Sequence, residues 1–201
     1  VHCHAFRRVA AMSIASFSAR DTLDEPVIKP RARWWRGRRF IVEVFDGADD
    51  ALEALETVQG GITSQSALTS TAFQSLNWLT VLYEELAPAH RALPRLIIVT
   101  ERNSGEVALI LPLLVRRKRG LRVATFADLG SSNYGAPILG PALLKKPRSI
   151  RRAWRSVCKS LGTVDMVRLE NMPAEIGGIA NPLLTRSGIV PSRRSAWPTA
   201  S

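Results

Sequence analysis

The sequence predicts an α/β fold, specifically an α+β sandwich on a mixed, largely antiparallel sheet flanked by helices. Three observations predict it. Apolar runs of strand type alternate with segments whose apolar residues recur at helical spacing; Asn103-Ser104-Gly105 separates two strong strand patterns; and Arg148 to Lys159 sorts cations and apolar residues onto opposite helical faces. With 201 residues, 46% of them hydrophobic, the chain can bury one sizeable core.

Residues 1–37 are expected to form a disordered basic tail, and 38–201 the folded domain. The first twenty residues carry no acid before Asp21 and superficially look like a transit peptide, but they lack the apolar core of a secretory signal. Met12 fits an over-extended translation start equally well. Arg39 to Phe45 reads as a strand through Ile41, Val42, Val44 and Phe45. Asp46, Asp49 and Asp50 then place carboxylates at a helix start, where exposed N–H groups favour negative charge. Ala48, Ala51, Leu52, Leu55 and Val58 give that helix its buried stripe, and Gly60-Gly61 ends it.

Ser75 is placed to cap a second helix, whose apolar face is Trp78, Leu79, Leu82, Tyr83 and Leu86 and which Pro88 stops. Arg95 to Glu101 and Glu106 to Val115 form a hairpin. In its second strand Val107, Leu109, Leu111 and Leu113 share one face and Ala108, Ile110 and Leu114 the other, which predicts a central strand with a bulge at Pro112. Arg116 to Gly120 is a tight turn into the strand Leu121 to Ala127. After the loop Gly130 to Gly135, Pro147 opens a helix with Ile150, Trp154, Val157, Cys158 and Leu161 on its apolar side. Gly162 closes it, and Val164 to Leu169 is a last strand. Asn171 to Ser201 holds too many Gly, Pro and Ser for more than a short helical turn at Pro182 to Arg186.

The net charge of +11 is unevenly spread. Residues 1–39 hold nine Lys or Arg against three acids, and residues 111–160 hold twelve against Asp128 alone, so one face or end of the fold should attract anions. Cys3 and Cys158 are too few for a disulfide framework, which suits a reduced, cytoplasmic setting. The longest apolar run, Val107 to Val115, is about half of what a bilayer span needs, so no transmembrane helix is expected.

Few residues offer chemistry by themselves. His2, Cys3 and His4 lack the separated pairs of a structural zinc site, so no metal is expected. No Ser-His-Asp or Cys-His spacing supports a nucleophile, and no catalytic residue is assigned. Asp128 is a candidate base, against the simpler reading of an Asp paired with nearby Arg residues. His90 reads as an exposed residue of a connector. Arg148, Arg151, Arg152, Arg155 and Lys159 form a candidate anion-binding patch, against the simpler reading of a solvated helix face. Arg31 to Arg39 interleaves cations with Trp34 and Trp35, a mixture able to grip phosphates, stack on bases or settle at an anionic bilayer. One functional class is therefore a non-catalytic basic module that binds nucleic acid or an anionic membrane surface.

Three short texts point to another class: Thr71-Ala72-Phe73-Gln74-Ser75-Leu76-Asn77-Trp78-Leu79, the run from Ala108 through Arg122, and Ser131-Ser132-Asn133-Tyr134-Gly135 to Pro141. In this order they resemble the amino-terminal half of the CelD/BcsL-type acetyltransferases, relatives of the GNAT and FemAB-like acyltransferases, over roughly Arg39 to Trp197. The resemblance implies a GNAT-like sandwich, the first half of a double-GNAT arrangement. It also implies acyl transfer from acetyl-CoA or another acyl-CoA to an amine or hydroxyl, with a saccharide or envelope precursor as a candidate acceptor. Gln74 and Trp78, from the text similar to the family's Phe-Gln-Ser-x-x-Trp signature, would lie at the acceptor groove. Ser132, Asn133 and Tyr134, similar to its polar-Tyr loop, would add ligand contacts. The structural alternative has Ser75 capping, Trp78 packing, and the Tyr134 loop serving as a Gly-flanked turn.

The family's CoA chemistry is associated with the second half, and no CoA is expected to bind here. The text nearest to a GNAT pyrophosphate loop, Arg117-Lys118-Arg119-Gly120-Leu121-Arg122, has Arg122 where a small residue is needed and lies between two strands. The chain ends where that second half would begin, so the expectation is a truncated product, a fragment of a split protein that pairs with a carboxy-terminal half, or a half that binds without catalysing.

Overall fold

Alternation in Phe40–Asp46 (β2) sends Phe40, Val42 and Val44 into one side of the sheet, each at most 1% exposed. The computed structural model describes residues 33–61, 68–130 and 134–186. Arg33–Arg36 (β1) pairs antiparallel with β2, Trp35 opposite Val42. This corrects the expected tail, at least from residue 33 onward; residues 1–32 lie outside the described residues. The physical reason is an edge strand hidden under cations. Trp35 packs on the core beneath the Lys159 amine, 5.5 Å from the ring centroid, and Arg33 Nη2 donates to Asp46 Oδ2 at 2.7 Å.

Ala48–Gly60 (α1) buries Ala51, Leu52 and Leu55, with Asp49 and Asp50 in its first turn. The third expected carboxylate, Asp46, stays in β2 and pairs with arginines instead. A 3₁₀ turn Ala72–Gln74 leads through Ser75 into Leu76–Val81 (α2). The Ser75 side chain accepts from Trp78 N as expected. Pro88 does not stop the helix. A wide turn, Leu82–Leu86, in which Ala87 N reaches the Leu82 carbonyl, precedes a last turn Ala87–Ala89 (α3) that carries Pro88 near its start.

Leu93–Glu101 (β3) and Val107–Lys118 (β4) form the expected hairpin. The bulge is not at Pro112, which pairs regularly with Leu96. It lies where Val99 faces Leu109 and Thr100 faces Val107. Ala108 and Leu109 therefore both face the same core, while Val107 packs with the opposite one, reversing the faces expected for 107 and 108. Pro112 is tolerated because its carbonyl accepts from Ala127 N, so its missing N–H faces the gap between two short partner strands. Those strands are Leu121–Phe126 (β5) and Ile138–Leu139 (β6), which pair with β4 from Leu113 onward and at Leu109–Ile110.

Pro141–Lys145 (α4) and a 3₁₀ turn Pro147–Ser149 precede Ile150–Ser160 (α5). Met166–Arg168 (β7) returns parallel to β5. Glu175–Ile176 (β8) and Ile179–Ala180 (β9) make a small hairpin, and Pro182–Arg186 (α6) is the expected short helix. The seven-stranded sheet runs β1-β2-β3-β4-β5-β7, with β6 also on β4, and is mostly antiparallel. On one face α5 packs Ile150, Ala153, Trp154 and Val157 against Val42, Ile97, Leu109 and Leu111. On the other, Leu55, Leu79, Leu82 and Tyr83 cover Leu96, Ile98, Ile110 and Leu114. This is the α+β sandwich expected from sequence. No helix among the described residues is long and apolar enough to cross a membrane.

Candidate anion-binding cleft

Pro147 has a fixed φ suited to a helical start, and the turn it opens is held by Ser149, whose N–H and hydroxyl both reach the Lys146 carbonyl at 2.9 and 2.7 Å. From there α5 lies along β2 with its apolar stripe down, so Arg148, Arg151, Arg152 and Arg155 point outward on successive turns. The register of β2 on β3, Phe40 opposite Glu101, brings Arg39 to the same end of the sheet. Together with Lys145 and Lys146 from the end of α4, these residues line a cavity of about 630 Å³.

Seven cations thus surround one cavity, and two carboxylates touch them. Glu101 Oε1 accepts from Arg39 Nε and Nη2 at 3.2 and 3.0 Å and lies 3.7 Å from Lys146 Nζ. Its Oε2 accepts from Ser104 Oγ at 3.1 Å. Burial works against ionising Glu101, but the hydrogen bonds from Arg39 and Ser104 and the charge of Lys146 outweigh it and hold the carboxyl below the usual glutamate value. Lys145 pairs with Glu106. The side chains of Arg148, Arg152 and Arg155 make no hydrogen bond or ion pair with any described residue.

Chemically, the cleft offers charge and forked N–H donors to phosphate, sulfate or carboxylate groups. Glu101 is a poor proton acceptor there, because its pKa is lowered and both its oxygens are engaged.

The patch foreseen along α5 divides. Arg148, Arg151, Arg152 and Arg155 line the cleft, whereas Lys159 sits over Trp35. Arg39, Lys145 and Lys146 were missed as members of the same site. The signal for the two lysines was the Lys145-Lys146-Pro147 text just before a helix start, and for Arg39 only strand pairing could have supplied it.

The other candidate residues lie elsewhere. Gln74 is 3% exposed, and its Oε1 accepts from both Thr71 N and Thr71 Oγ1 at 2.8 Å, which fixes the chain before α2. Trp78 is half-buried and edge-on to Phe73, 5.4 Å between centroids, with Nε1 unpartnered among the described residues. Neither lines the cleft. Tyr134 is half exposed beyond the end of β5, while Ser132 and Asn133 lie outside the described residues. Asp128 accepts from Gly130 N at 3.2 Å and makes no ion pair within contact distance among the described residues. Burial raises its carboxyl above the usual value, against the smaller opposing pull of that hydrogen bond and of Arg116. His90 is exposed and lines a different groove. No cluster of His, Cys, Asp or Glu among the described residues is arranged to hold a metal ion.

Comparison of the chain with protein-family models, with curated proteins and with solved structures yields no significant match.

Proposed function

We propose that this chain is the anion-holding unit of a GNAT-type acyltransferase, acting in the cytoplasm, and that the α5 cleft receives the phosphate groups of its ligand. The observation that carries the proposal is the convergence of seven cations on one concave site, three of them without a partner among the described residues. Concavity favours a compact, multiply charged ligand over a flat surface. The two ligand classes in view are a phosphorylated saccharide or envelope precursor that accepts the acyl group and, against the sequence-based expectation that no CoA binds this half, the pyrophosphate end of an acyl-CoA.

The acyl-transfer part of the reading rests on the motif resemblance. Part of the order of elements supports it: after the edge strand β1 come β2, helical segments and three antiparallel strands, and after the short β6 and α4 come α5 and β7, parallel to β5. Catalysis is assigned to a second αβ unit that would join this one. In support, the sheet path ends at β7, a strand of three residues whose outer edge pairs with no described strand.

Calorimetric titration with acetyl-CoA and with inorganic pyrophosphate tests the proposal. Binding of either that falls about tenfold in Arg152→Glu is the expected result. Absence of heat with both ligands at high protein concentration removes the proposal. Binding of pyrophosphate alone keeps the anion site and directs the search to a phosphorylated acceptor.

A further inference from the structure

A second basic surface lies at the opposite end of the sheet. β3 begins here and ends at Glu101 beside the cleft, a span of about 27 Å for nine extended residues. Residues 116–122 carry Arg116, Arg117, Lys118, Arg119 and Arg122, and the hairpin reverses on Arg119-Gly120 at φ 52° and 82°. A groove of about 720 Å³ runs from this hairpin to the turn between α3 and β3, where His90, Arg91 and Leu93 join it.

This groove shares one property with the α5 cleft and differs from it in another. The side chains of Arg91, Arg117 and Lys118 make no hydrogen bond or ion pair with any described residue. Nearby carboxylates are weakly opposed to them: Asp165 Oδ2 is engaged by Arg122 N at 2.7 Å, and Asp128 faces the Arg116 charge from the neighbouring turn. Beside the cations are leucines that the fold leaves open, Leu93 in the groove and Leu121 next to it on the other face of the ladder. Leu93 and Leu121 are each 45% exposed, Leu93 opposite Val115 and Leu121 opposite Lys118 in the β4 ladders.

We propose that the turn end of the β4–β5 hairpin docks end-on on an anionic lipid bilayer, the cations meeting acidic headgroups while Leu93 and Leu121, on opposite faces of the ladder, enter the boundary of the acyl chains. Cations interleaved with exposed aliphatic side chains fit such an interface. A nucleic acid is disfavoured as occupant because no Phe, Tyr or Trp lines the groove to stack on bases, and His90 is the one ring it offers among the described residues. Docking at this end leaves the α5 cleft open, so the surface is independent of the function proposed for that cleft.

Co-sedimentation of the full chain with vesicles of phosphatidylcholine and phosphatidylserine, compared with phosphatidylcholine alone, tests the inference. Binding only to the acidic vesicles is expected, weakened about fivefold by Arg117→Ala and again by Lys118→Ala, in line with the usual contribution of one basic residue at such a surface. Leu121→Ser, which leaves the charge unchanged, weakens it as well. Thermal melts of these exposed-site variants equal to the parent exclude misfolding as the cause. Equal binding to both vesicle types overturns the inference, as does binding lost in Arg148→Glu/Arg152→Glu but not in the hairpin variants. A neutral Leu121→Ser, with an oligonucleotide displacing the protein from vesicles, overturns the bilayer in favour of a soluble polyanion.

Discussion

Arg39 places two N–H groups, Nε and Nη2, on a single oxygen of Glu101, at 3.2 and 3.0 Å. The pair ties the start of β2 to the end of β3, with Glu101 buried and Arg39, which lines the cleft, partly exposed. Because the folded state holds Glu101 below its ordinary pKa, its ionised form contributes stability.

That contribution is fully present above the ordinary glutamate value and is lost as pH falls through it toward the lowered folded value. Unfolding curves collected across the acid range should therefore show a stability loss that is reduced in Glu101→Gln. An unchanged acid limb in that variant would mean that the pair adds nothing to the fold.

Strand β1 gives a test by contrast between adjacent indoles. Trp35 is packed on the core under Lys159, so Trp35→Ala should cost about 2 kcal/mol in denaturant unfolding. Trp34 is 59% exposed, and Trp34→Ala should stay within about 0.5 kcal/mol of the parent. Equal, negligible losses would return residues 33–36 to the tail.

How much of this was legible in the sequence depends on the range of each signal. The β3–β4 hairpin and the sorted faces of α5 are written in local periodicity, and the fold class followed from them. Strands of two residues such as β6 have no period to read, so β6 and α4 went unseen. The bulge at Ala108 was misplaced because Ala108 and Leu109 are both apolar and only the register on β3 reveals that they share a face. In β1 the cations around Trp35 imitate a solvated tail. The cleft was half legible: its helix arginines are four letters of one pattern, but Arg39 joins them only through the pairing of Phe40 with Glu101.

Gln74 carries a prediction that separates its structural role from the acceptor contact implied by resemblance. Its carbonyl oxygen is bonded to Thr71 N and Oγ1, so Gln74→Ala should cost about 1 kcal/mol of stability, comparable with loss of a helix cap. Pyrophosphate affinity at the cleft should be unchanged, as titration of the same variant will report.

Arg95 is an arginine committed to the fold. It is 2% exposed, donates Nε to Asp46 Oδ1 at 2.5 Å and Nη1 to the Leu161 carbonyl at 3.2 Å, and so joins β2, β3 and the end of α5. Arg95→Ala leaves both acceptors without their partner and should cost about 3 kcal/mol, read as a shift in denaturant midpoint at constant slope.

The central claim is that the start of α5 binds phosphate groups. The most direct measurement is a titration of isotope-labelled protein with inorganic pyrophosphate followed by amide chemical shifts. The account predicts saturable shifts at Lys145 to Arg155 and at Arg39, abolished in Arg152→Glu/Arg155→Glu. Shifts confined to other parts of the sheet, or none at saturating pyrophosphate, would contradict it.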